Sequence, residues 1–367
     1  MRDHLQPGRV FGAFAVAVAL SAAAAASGAL PAAERLGKVR RELERRTAIL
    51  RDDQAALIAS RMPTDGSPVL RQRPRLMLKP GELVSATERK FSAVRVILEE
   101  PESRAKLMPL DEQFVPRGVD YDADRKLLAI AAVSRVLLFD TVASVTTVLQ
   151  SPLVELDSFG FANDVMFDGA GKLLIADQGE TTGARVPADG SIWEYDLETG
   201  DFTQLAIRQP LANPKLLAQD PSGTIYFVEG AGGPLITPAF EFRYDAVMFL
   251  VGKKRQGARR FYTGPGVQAT GFDIAPDGRF WFANVAEIAL LQDDVLSLPC
   301  ALPLPFRFLT GLAIASETAG YVLDGTDLQP GKGALYGVTV ACAATLELEG
   351  NKLNQARGLA LVSEPTP

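Results

Sequence analysis

The stretch that decides the fold is Asn163-Asp164-Val165-Met166-Phe167-Asp168-Gly169-Ala170-Gly171-Lys172-Leu173-Leu174-Ile175-Ala176-Asp177. Two apolar runs flank an Asp-Gly-Ala-Gly turn, which is the pattern of a β-hairpin. The same pattern recurs at residues 270–284, where Pro276-Asp277-Gly278 forms the turn. Hairpins repeated at intervals of roughly 40 to 50 residues are typical of a β-propeller.

The residue before each inner strand serves as a register mark that can be followed through six repeats. The marks are Arg117, Asn163, Lys215, Thr270, Thr310 and Arg357. Beyond each of the four middle marks, at one constant offset, a second apolar strand ends on a polar residue: Asp177, Glu229, Asn284 and Asp324. A constant offset in four repeats predicts six blades, with seven as the alternative.

The sixth mark is followed by only one strand, residues 357–362, although a blade needs about four strands. We expect residues 68–99 to supply the others, through runs at 75–79 and 93–98. The predicted fold class is therefore all-β: a six-bladed β-propeller over residues 68–367, with an N-terminal helical extension. Its last blade combines N-terminal strands with the C-terminal strand, which removes open sheet edges.

Residues 1–29 carry two arginines followed by an uncharged, alanine-rich run that ends in small residues. This pattern predicts a signal peptide and export to the periplasm or the extracellular space. A membrane anchor is the alternative, because about 20 apolar residues span a bilayer. Cleavage would remove His4, the only histidine. Mechanisms that need an imidazole would then be excluded.

Residues 30–62 are interpreted as a charged helix, and residues 63–67 as a linker. A coiled coil needs apolar residues at two positions of each seven-residue repeat, and the second of these positions carries Arg46, Asp53 and Ser60. One interpretation is therefore a spacer or a helix packed on the propeller. The alternative is a dimerising or partner-binding helix over residues 32–61. The leucines that recur every seven residues are Leu36, Leu43, Leu50 and Leu57.

Charge and cysteine content limit the partners and the compartment. The net charge of −6 and the lack of a basic stripe argue against nucleic-acid binding. The most basic run, residues 253–260, is interpreted as a solvated turn. Cys300 and Cys342 are candidates for a disulfide between neighbouring blades in an oxidising compartment, and two separate thiols are the alternative.

The register marks and the ends of the second strands are expected at one mouth of the central channel. Arg117, Lys215 and Arg357 would make that mouth positive, which favours a small polar, anionic ligand. Alternatively, each cation pairs with an acid of the second ring. The polar residues at the strand ends, including Asp177 and Glu229, could instead have a structural role, in which they accept hydrogen bonds from the backbone of turns.

The chain resembles the six-bladed propellers of the SMP-30, gluconolactonase and strictosidine-synthase-like superfamily, which are also similar to NHL-repeat proteins. The resemblance covers about residues 115–362. It depends on Phe161-Ala162-Asn163-Asp164 followed by Asp168 and Gly171, on Asp220-Pro221-Ser222-Gly223, and on the insertion at residues 179–193.

The resemblance implies a divalent cation, commonly calcium, held by one Glu, two Asn and one Asp at the starts of inner strands. Only Asn163 matches, because Lys215, Thr270 and Arg357 occupy the other positions. Since cations repel calcium, the site is broken in this register. A bulge at Asn213 would allow a rebuilt site with Asn163, and with Asp177, Glu229 and Asp324 as carboxylates.

Three functions follow as expectations. The first is an exported propeller that binds a small, anionic ligand at the channel mouth, on a lactonase-like scaffold. The second is a calcium-dependent lactone or ester hydrolase, and the third is a non-catalytic scaffold for a protein partner. The sequence assigns no catalytic residue, and a membrane partner is expected only if residues 1–29 are retained.

Overall fold

The computed structural model describes the propeller region in segments. Residues 1–77 lie outside them, and so do the predicted signal peptide, charged helix and linker, together with Cys300 and Cys342. Within these segments no helix is long and apolar enough to span a membrane. The segments are 78–87, 92–98, 103–110, 114–132, 135–149, 162–179, 190–205, 211, 213–230, 246–251, 255, 257–263, 269–284, 287–293, 295–297, 308–325, 332–341 and 343–364.

The described residues form six four-stranded antiparallel sheets, so the all-β, six-bladed prediction is confirmed. Blade 1 contains β1 (Leu83–Thr87), β2 (Ser92–Ile97), β3 (Arg104–Pro109) and β24 (Ala356–Leu361). Blade 2 contains β4 (Pro116–Asp122), β5 (Leu127–Ala132), β6 (Arg135–Asp140) and β7 (Val145–Leu149). Blade 3 contains β8 (Ala162–Phe167), β9 (Lys172–Asp177), β10 (Ser191–Asp196) and β11 (Phe202–Gln204).

The other three blades follow the same order from the inner to the outer strand. Blade 4 contains β12 (Pro214–Gln219), β13 (Ile225–Glu229), β14 (Ala246–Val251) and β15 (Gly257–Thr263). Blade 5 contains β16 (Ala269–Ile274), β17 (Phe280–Asn284), β18 (Glu287–Gln292) and β19 (Val295–Ser297). Blade 6 contains β20 (Leu309–Ile314), β21 (Ala319–Asp324), β22 (Gly333–Thr339) and β23 (Ala344–Gly350), and a 3-10 turn at Asn351–Leu353 precedes β24.

Blade 1 closes the ring as predicted, with the C-terminal strand β24 innermost and paired with β1. Its boundaries differ from the prediction: β1 begins at Leu83, and β3 lies beyond residue 99. Pro80 and Gly81 form a turn after Lys79, with Gly81 at φ +81°, so the chain cannot continue there as a strand. At the closing seam, the Ser85 hydroxyl lies 2.6 Å from the Gly358 carbonyl oxygen, to which it donates.

Both faces of each blade are buried, which explains why its strands are uninterrupted apolar runs. In β9, Leu173 and Ile175 pack against blade 2, whereas Leu174 and Ala176 pack against blade 4. Alternate residues of a strand point to opposite faces of the sheet. The core is therefore divided into six apolar clusters, one between each pair of neighbouring blades.

The inner strands carry a β-bulge at the register marks. In blade 3, Ala162 pairs with Asp177 and Asp164 pairs with Ala176, which leaves Asn163 as the extra residue. Lys215, Thr270 and Thr310 are extra residues in the same way. A bulge re-aims the side chain that it displaces. The marks of blades 3 to 6 therefore share one position at a bulge.

Candidate functional site

A cavity of about 360 Å³ lies where the six inner strands meet. Its walls include residues of β4, β8, β12, β16, β20 and β24, so it is the central channel of the propeller. Three of the six register marks line it, namely Arg117, Thr270 and Thr310. The other three, Asn163, Lys215 and Arg357, are not among the residues of its walls. The structure thus brings one of the three predicted cations to the channel.

The bulges explain part of this separation. In blade 2, Arg117 and Gly118 together face Ala131, so Arg117 belongs to a bulge that borders the cavity. In blade 1 the bulge falls later, and Arg357 pairs regularly with Ala86 of β1. Residues at the same position of the repeat therefore do not all border the central cavity.

Neighbouring inner strands approach each other closely one residue beyond the mark. A Cβ atom at Gly311 would lie 2.8 Å from the carbonyl carbon of Gly358, and one at Gly271 would lie 2.9 Å from the Leu312 nitrogen. Such distances leave no room for a side chain. The position is glycine in four inner strands and is occupied by Asp164 and Leu216 in the other two. The four glycines are Gly118, Gly271, Gly311 and Gly358.

Three aspartates join neighbouring blades across the channel wall. An inner strand is the free edge of its sheet, so its channel-facing N–H groups have no ladder partner and must find another acceptor. A carboxyl group on the preceding inner strand accepts the bond in three places. The N–H of Phe167 donates to Asp120 at 2.7 Å, that of Leu217 donates to Asp164 at 2.8 Å, and that of Ile314 donates to Asp273 at 2.8 Å.

Burial changes the acidity of these groups. The pKa of Asp164 is raised to about 8, mainly by desolvation; backbone hydrogen bonds lower it, and the charges of Asp120 and Asp273 add to the rise. Desolvation likewise raises the pKa values of Asp120 and Asp273 to about 6. Asp164 is only 9% exposed. At neutral pH it is therefore mainly protonated, whereas the other two are mainly ionised.

The polar groups at the register marks are engaged in the framework. The Asn163 amide nitrogen donates to the Asn213 side-chain oxygen at 3.2 Å and to the Pro214 carbonyl at 3.1 Å, both at the entry to blade 4. The Thr310 hydroxyl donates to the Ala356 carbonyl at 2.8 Å, across the seam to blade 1. Thr270 donates to the Ala283 carbonyl at 2.9 Å within blade 5. Each bond fixes the start of an inner strand.

The polar ends of the second strands do not line the channel cavity. They lie at the blade edges, where three acids accept bonds from backbone N–H groups. Such bonds are the structural role expected of short acids at strand ends. Asp177 accepts from Gly179 at 3.0 Å, Glu229 from Asn213 at 2.9 Å and Asp324 from Phe308 at 3.3 Å, and the Asn284 amide donates to Glu287 at 3.4 Å.

The candidate calcium ligands are partly brought together. Asn163 contacts Asn213, whose backbone N–H is bonded to Glu229, and Asp177 lies opposite the residue before Asn163. Calcium takes six to eight oxygen ligands. In the part of the chain that the structure describes, no group of three or more His, Cys, Asp or Glu side chains is arranged to hold a metal ion.

The channel aspartates are the feature that sequence reasoning missed. Asp120 and Asp273 lie three residues after their marks, and Asp164 lies one residue after its mark. On that strand face, the other inner strands carry Gly, Ala, Met or Leu. An aspartate on a strand face that otherwise carries small or apolar residues is the sequence signal that could have identified these three side chains.

A second cavity, of about 420 Å³, lies between blades 3 and 4 and is lined by residues that include Asp168, Glu194 and Arg255. The Arg255 guanidinium lies 2.8 Å from Asp168 and 3.1 Å from Glu194. Arg255 lies in the connection between β14 and β15, as the prediction of a turn at residues 253–260 requires, but residues 257–260 are part of β15 and correct that prediction. The charge of Arg255 is used in an ion-pair network between two blades, which a linear charge pattern cannot show.

Comparisons with known proteins support the fold. No protein-family model and no curated protein matches the chain. A chain in the crystal structure of a nidogen–laminin complex is 12% identical, with a TM-score of 0.58, over 78% of this chain and 99% of that one. A protein of unknown function from Bacteroides caccae is 12% identical, with a TM-score of 0.53, over 78% of this chain and 100% of that one.

A gluconolactonase from Xanthomonas campestris is 14% identical, with a TM-score of 0.44, over 68% of this chain and 84% of that one. Identities this low show the fold alone. Membership of the superfamily that includes gluconolactonases therefore stays a prediction.

Proposed function

We propose that the protein is a binding propeller whose central channel takes a small anionic ligand that also carries hydroxyl groups. The observation that carries the proposal is the position of Arg117. Among the described residues of the cavity wall, it is the only cation. A guanidinium group pairs well with a carboxylate, because its planar donors match two oxygen atoms.

The remainder of the channel supports hydroxyl groups on the ligand. Asp120 and Asp273 lie further along the inner strands and keep part of their surface open to the cavity. Their oxygens accept hydrogen bonds, so they favour ligand donors and oppose a second anionic group. The cavity volume of about 360 Å³ suits a small molecule. At pH 7 Asp164 is mainly neutral, but Asp120 and Asp273 are mainly ionised and outweigh the single charge of Arg117. The ligand's carboxylate is therefore expected against Arg117, and its hydroxyl groups against the two ionised aspartates.

Binding is proposed in preference to hydrolysis because the lactonase resemblance depends on a cation. The described residues that would hold that cation are bonded to one another and to the backbone. Export, as predicted from residues 1–29, is part of the proposal. The scaffold function predicted for residues 32–61 concerns a part of the chain outside the described residues.

The test is calorimetric titration of the propeller with gluconate, lactate and citrate, each compared with its uncharged methyl ester. We expect one carboxylate to bind and its ester to fail. Arg117→Gln should weaken binding about 10- to 100-fold, the range of one charge-assisted hydrogen bond. The matched control is Arg357→Gln, an arginine at the equivalent mark outside the cavity wall, which should change affinity less than about 2-fold.

The proposal fails if the ester binds as well as the acid, or if both arginine variants lose the same affinity. Titration with calcium alone separates the hydrolase alternative. Micromolar calcium binding, with hydrolysis of a lactone that requires calcium, would favour the enzyme instead.

A further inference from the structure

The three carboxyl groups described above join neighbouring inner strands, and all three line a single cavity. We propose that Asp120, Asp164 and Asp273 form a pH-sensitive clamp on the inner ring: it is tight when the carboxyl groups are protonated and loosens in two steps as they ionise. The seams of Asp120 and Asp273 loosen first, and the seam between blades 3 and 4 loosens last. This inference is independent of the ligand.

Each aspartate belongs to a different seam. Asp120 joins blade 2 to blade 3, Asp164 joins blade 3 to blade 4, and Asp273 joins blade 5 to blade 6. At the other three seams, the described wall residues on the corresponding strand face are not titratable. They are Leu216 and Ala218, Gly311 and Ala313, and Gly358 and Ala360.

The charged groups around the clamp do not balance. In the described cavity wall, Arg117 is the only cation facing the three carboxyl groups, and β12, β20 and β24 contribute no charged side chain. Asp122, on the same strand as Asp120, adds further negative charge near it. Ionisation of all three acids therefore leaves a net negative charge in a confined space, where like charges repel strongly.

Backbone hydrogen bonds act in the opposite direction, because an ionised carboxylate accepts them more strongly than a neutral acid. The pKa values decide which effect dominates. They lie at about 8 for Asp164 and about 6 for Asp120 and Asp273, all above the ordinary value, so burial and repulsion outweigh the backbone bonds.

The sign of the effect follows from linkage. Each folded-state pKa is raised, so the folded protein binds protons more tightly than the unfolded chain. The stabilising contribution of the clamp is complete below about pH 4. It is lost progressively as the pH rises through about 6 to about 8, the pKa values of the folded groups.

Asp164 occupies the most sensitive position. Its position in the strand is glycine in four of the other inner strands because neighbouring backbones almost touch there. Its side chain lies between both neighbours: one oxygen accepts the Leu217 N–H of β12, and a Cβ atom on Gly118 of β4 would overlap the other. Charge on Asp164 therefore acts on two seams, and no shift of its own side chain relieves it.

The experiment measures the unfolding equilibrium in denaturant from pH 5 to pH 9 for the full propeller. We compare wild type, Asp164→Asn and the triple variant in which all three aspartates become asparagine, which keeps one acceptor oxygen per side chain without the charge. The control is Asp324→Asn, since Asp324 is 2% exposed and accepts a backbone N–H outside the cavity. We expect the unfolding constant of wild type to rise at least about 100-fold more than that of the triple variant across this range.

Hydrogen exchange gives a local readout that an unspecific stability loss would not reproduce. After correction for intrinsic rates, exchange of the Leu217 amide should accelerate from pH 6 to pH 9 in wild type and stay constant in Asp164→Asn. The clamp is refuted if the triple variant keeps the wild-type pH dependence, or if Asp324→Asn removes as much of it. If the triple variant does not fold, Asp164→Asn alone must reduce the pH dependence at least about 10-fold, and a smaller reduction refutes the proposal.

Discussion

Gly358 is the position at which one added methyl group should damage the ring most. Its φ of +65° is a left-handed conformation that favours glycine, and it lies in the bulge of β24. A Cβ atom there would lie 2.7 Å from the Val119 nitrogen and 3.0 Å from the Gly118 carbonyl carbon. Both are backbone atoms of β4, so the neighbour cannot turn a side chain away.

The magnitude has two parts that the chain allows us to separate. A left-handed alanine costs about 1 to 2 kcal/mol. Forcing a methyl group into a packed site costs about 1 to 3 kcal/mol. Gly358→Ala should therefore lose about 2 to 5 kcal/mol of the free energy of unfolding, if the two costs add.

Two matched variants isolate these costs. Gly278 has φ +82° and no atom within 4 Å of the place that a methyl group would occupy, so Gly278→Ala measures the backbone cost alone. Gly311 has no positive φ but would place its Cβ 2.8 Å from the Gly358 carbonyl carbon, so Gly311→Ala measures crowding alone. Denaturant unfolding followed by far-UV circular dichroism gives the three free energies. If Gly358→Ala loses no more than Gly278→Ala, the inner strands are not in backbone contact and the reasoning is wrong.

Three further results are expected. Arg255→Met should cost about 1 to 3 kcal/mol in denaturant unfolding, because it leaves a nearly buried carboxylate without its partner in the next blade, whereas Arg279→Met, whose ion pair lies within one turn, should cost less than about 1 kcal/mol. The hydrogen bond from Lys172 lowers the pKa of Asp196 to about 2. The ionised Asp196 therefore stabilises the folded protein above about pH 4, and this stabilisation is lost as the pH falls toward about 2. Asp196→Asn should flatten that part of the acid unfolding curve. Removing residues 356–367 deletes the inner strand of blade 1 and should abolish cooperative unfolding in calorimetry, whereas removing only residues 365–367 should not.

The fold was accessible from the sequence because each blade repeats a local pattern. The run Leu173 to Ala176 is apolar on both faces, and the turn after Asp168 marks its hairpin. Such signals depend on neighbours along the chain. The closing blade was predicted from a count of strands, but its boundaries were not: Leu78 and Lys79 do not belong to a strand, and β1 begins only after the turn at Pro80 and Gly81.

The site was less accessible because it depends on neighbours in space. The sequence places Arg117, Lys215 and Arg357 at one repeat position, yet only Arg117 borders the cavity. A bulge displaced by one residue changes where a side chain points, and hydropathy does not report such a shift. The aspartate bonds between blades were missed for the same reason, since Asp164 and Leu217 are brought together only by ring closure.

The residues to which we assign ligand binding and pH sensitivity lie where the repeats of this propeller differ. Equivalent backbone positions around the axis carry glycine where strands nearly touch, and that shared feature builds the ring. Asp164 departs from it in blade 3, and Arg117 directly precedes the glycine of blade 2; these two residues place one cation and one buried acid beside the same cavity. A residue that serves the ligand and not the ring should be replaceable, without loss of stability, by the residue found at its position in another blade. Arg117→Thr, which copies the mark of blade 5, should therefore preserve stability while removing ligand binding, and a loss of stability would mean that Arg117 supports the framework as well.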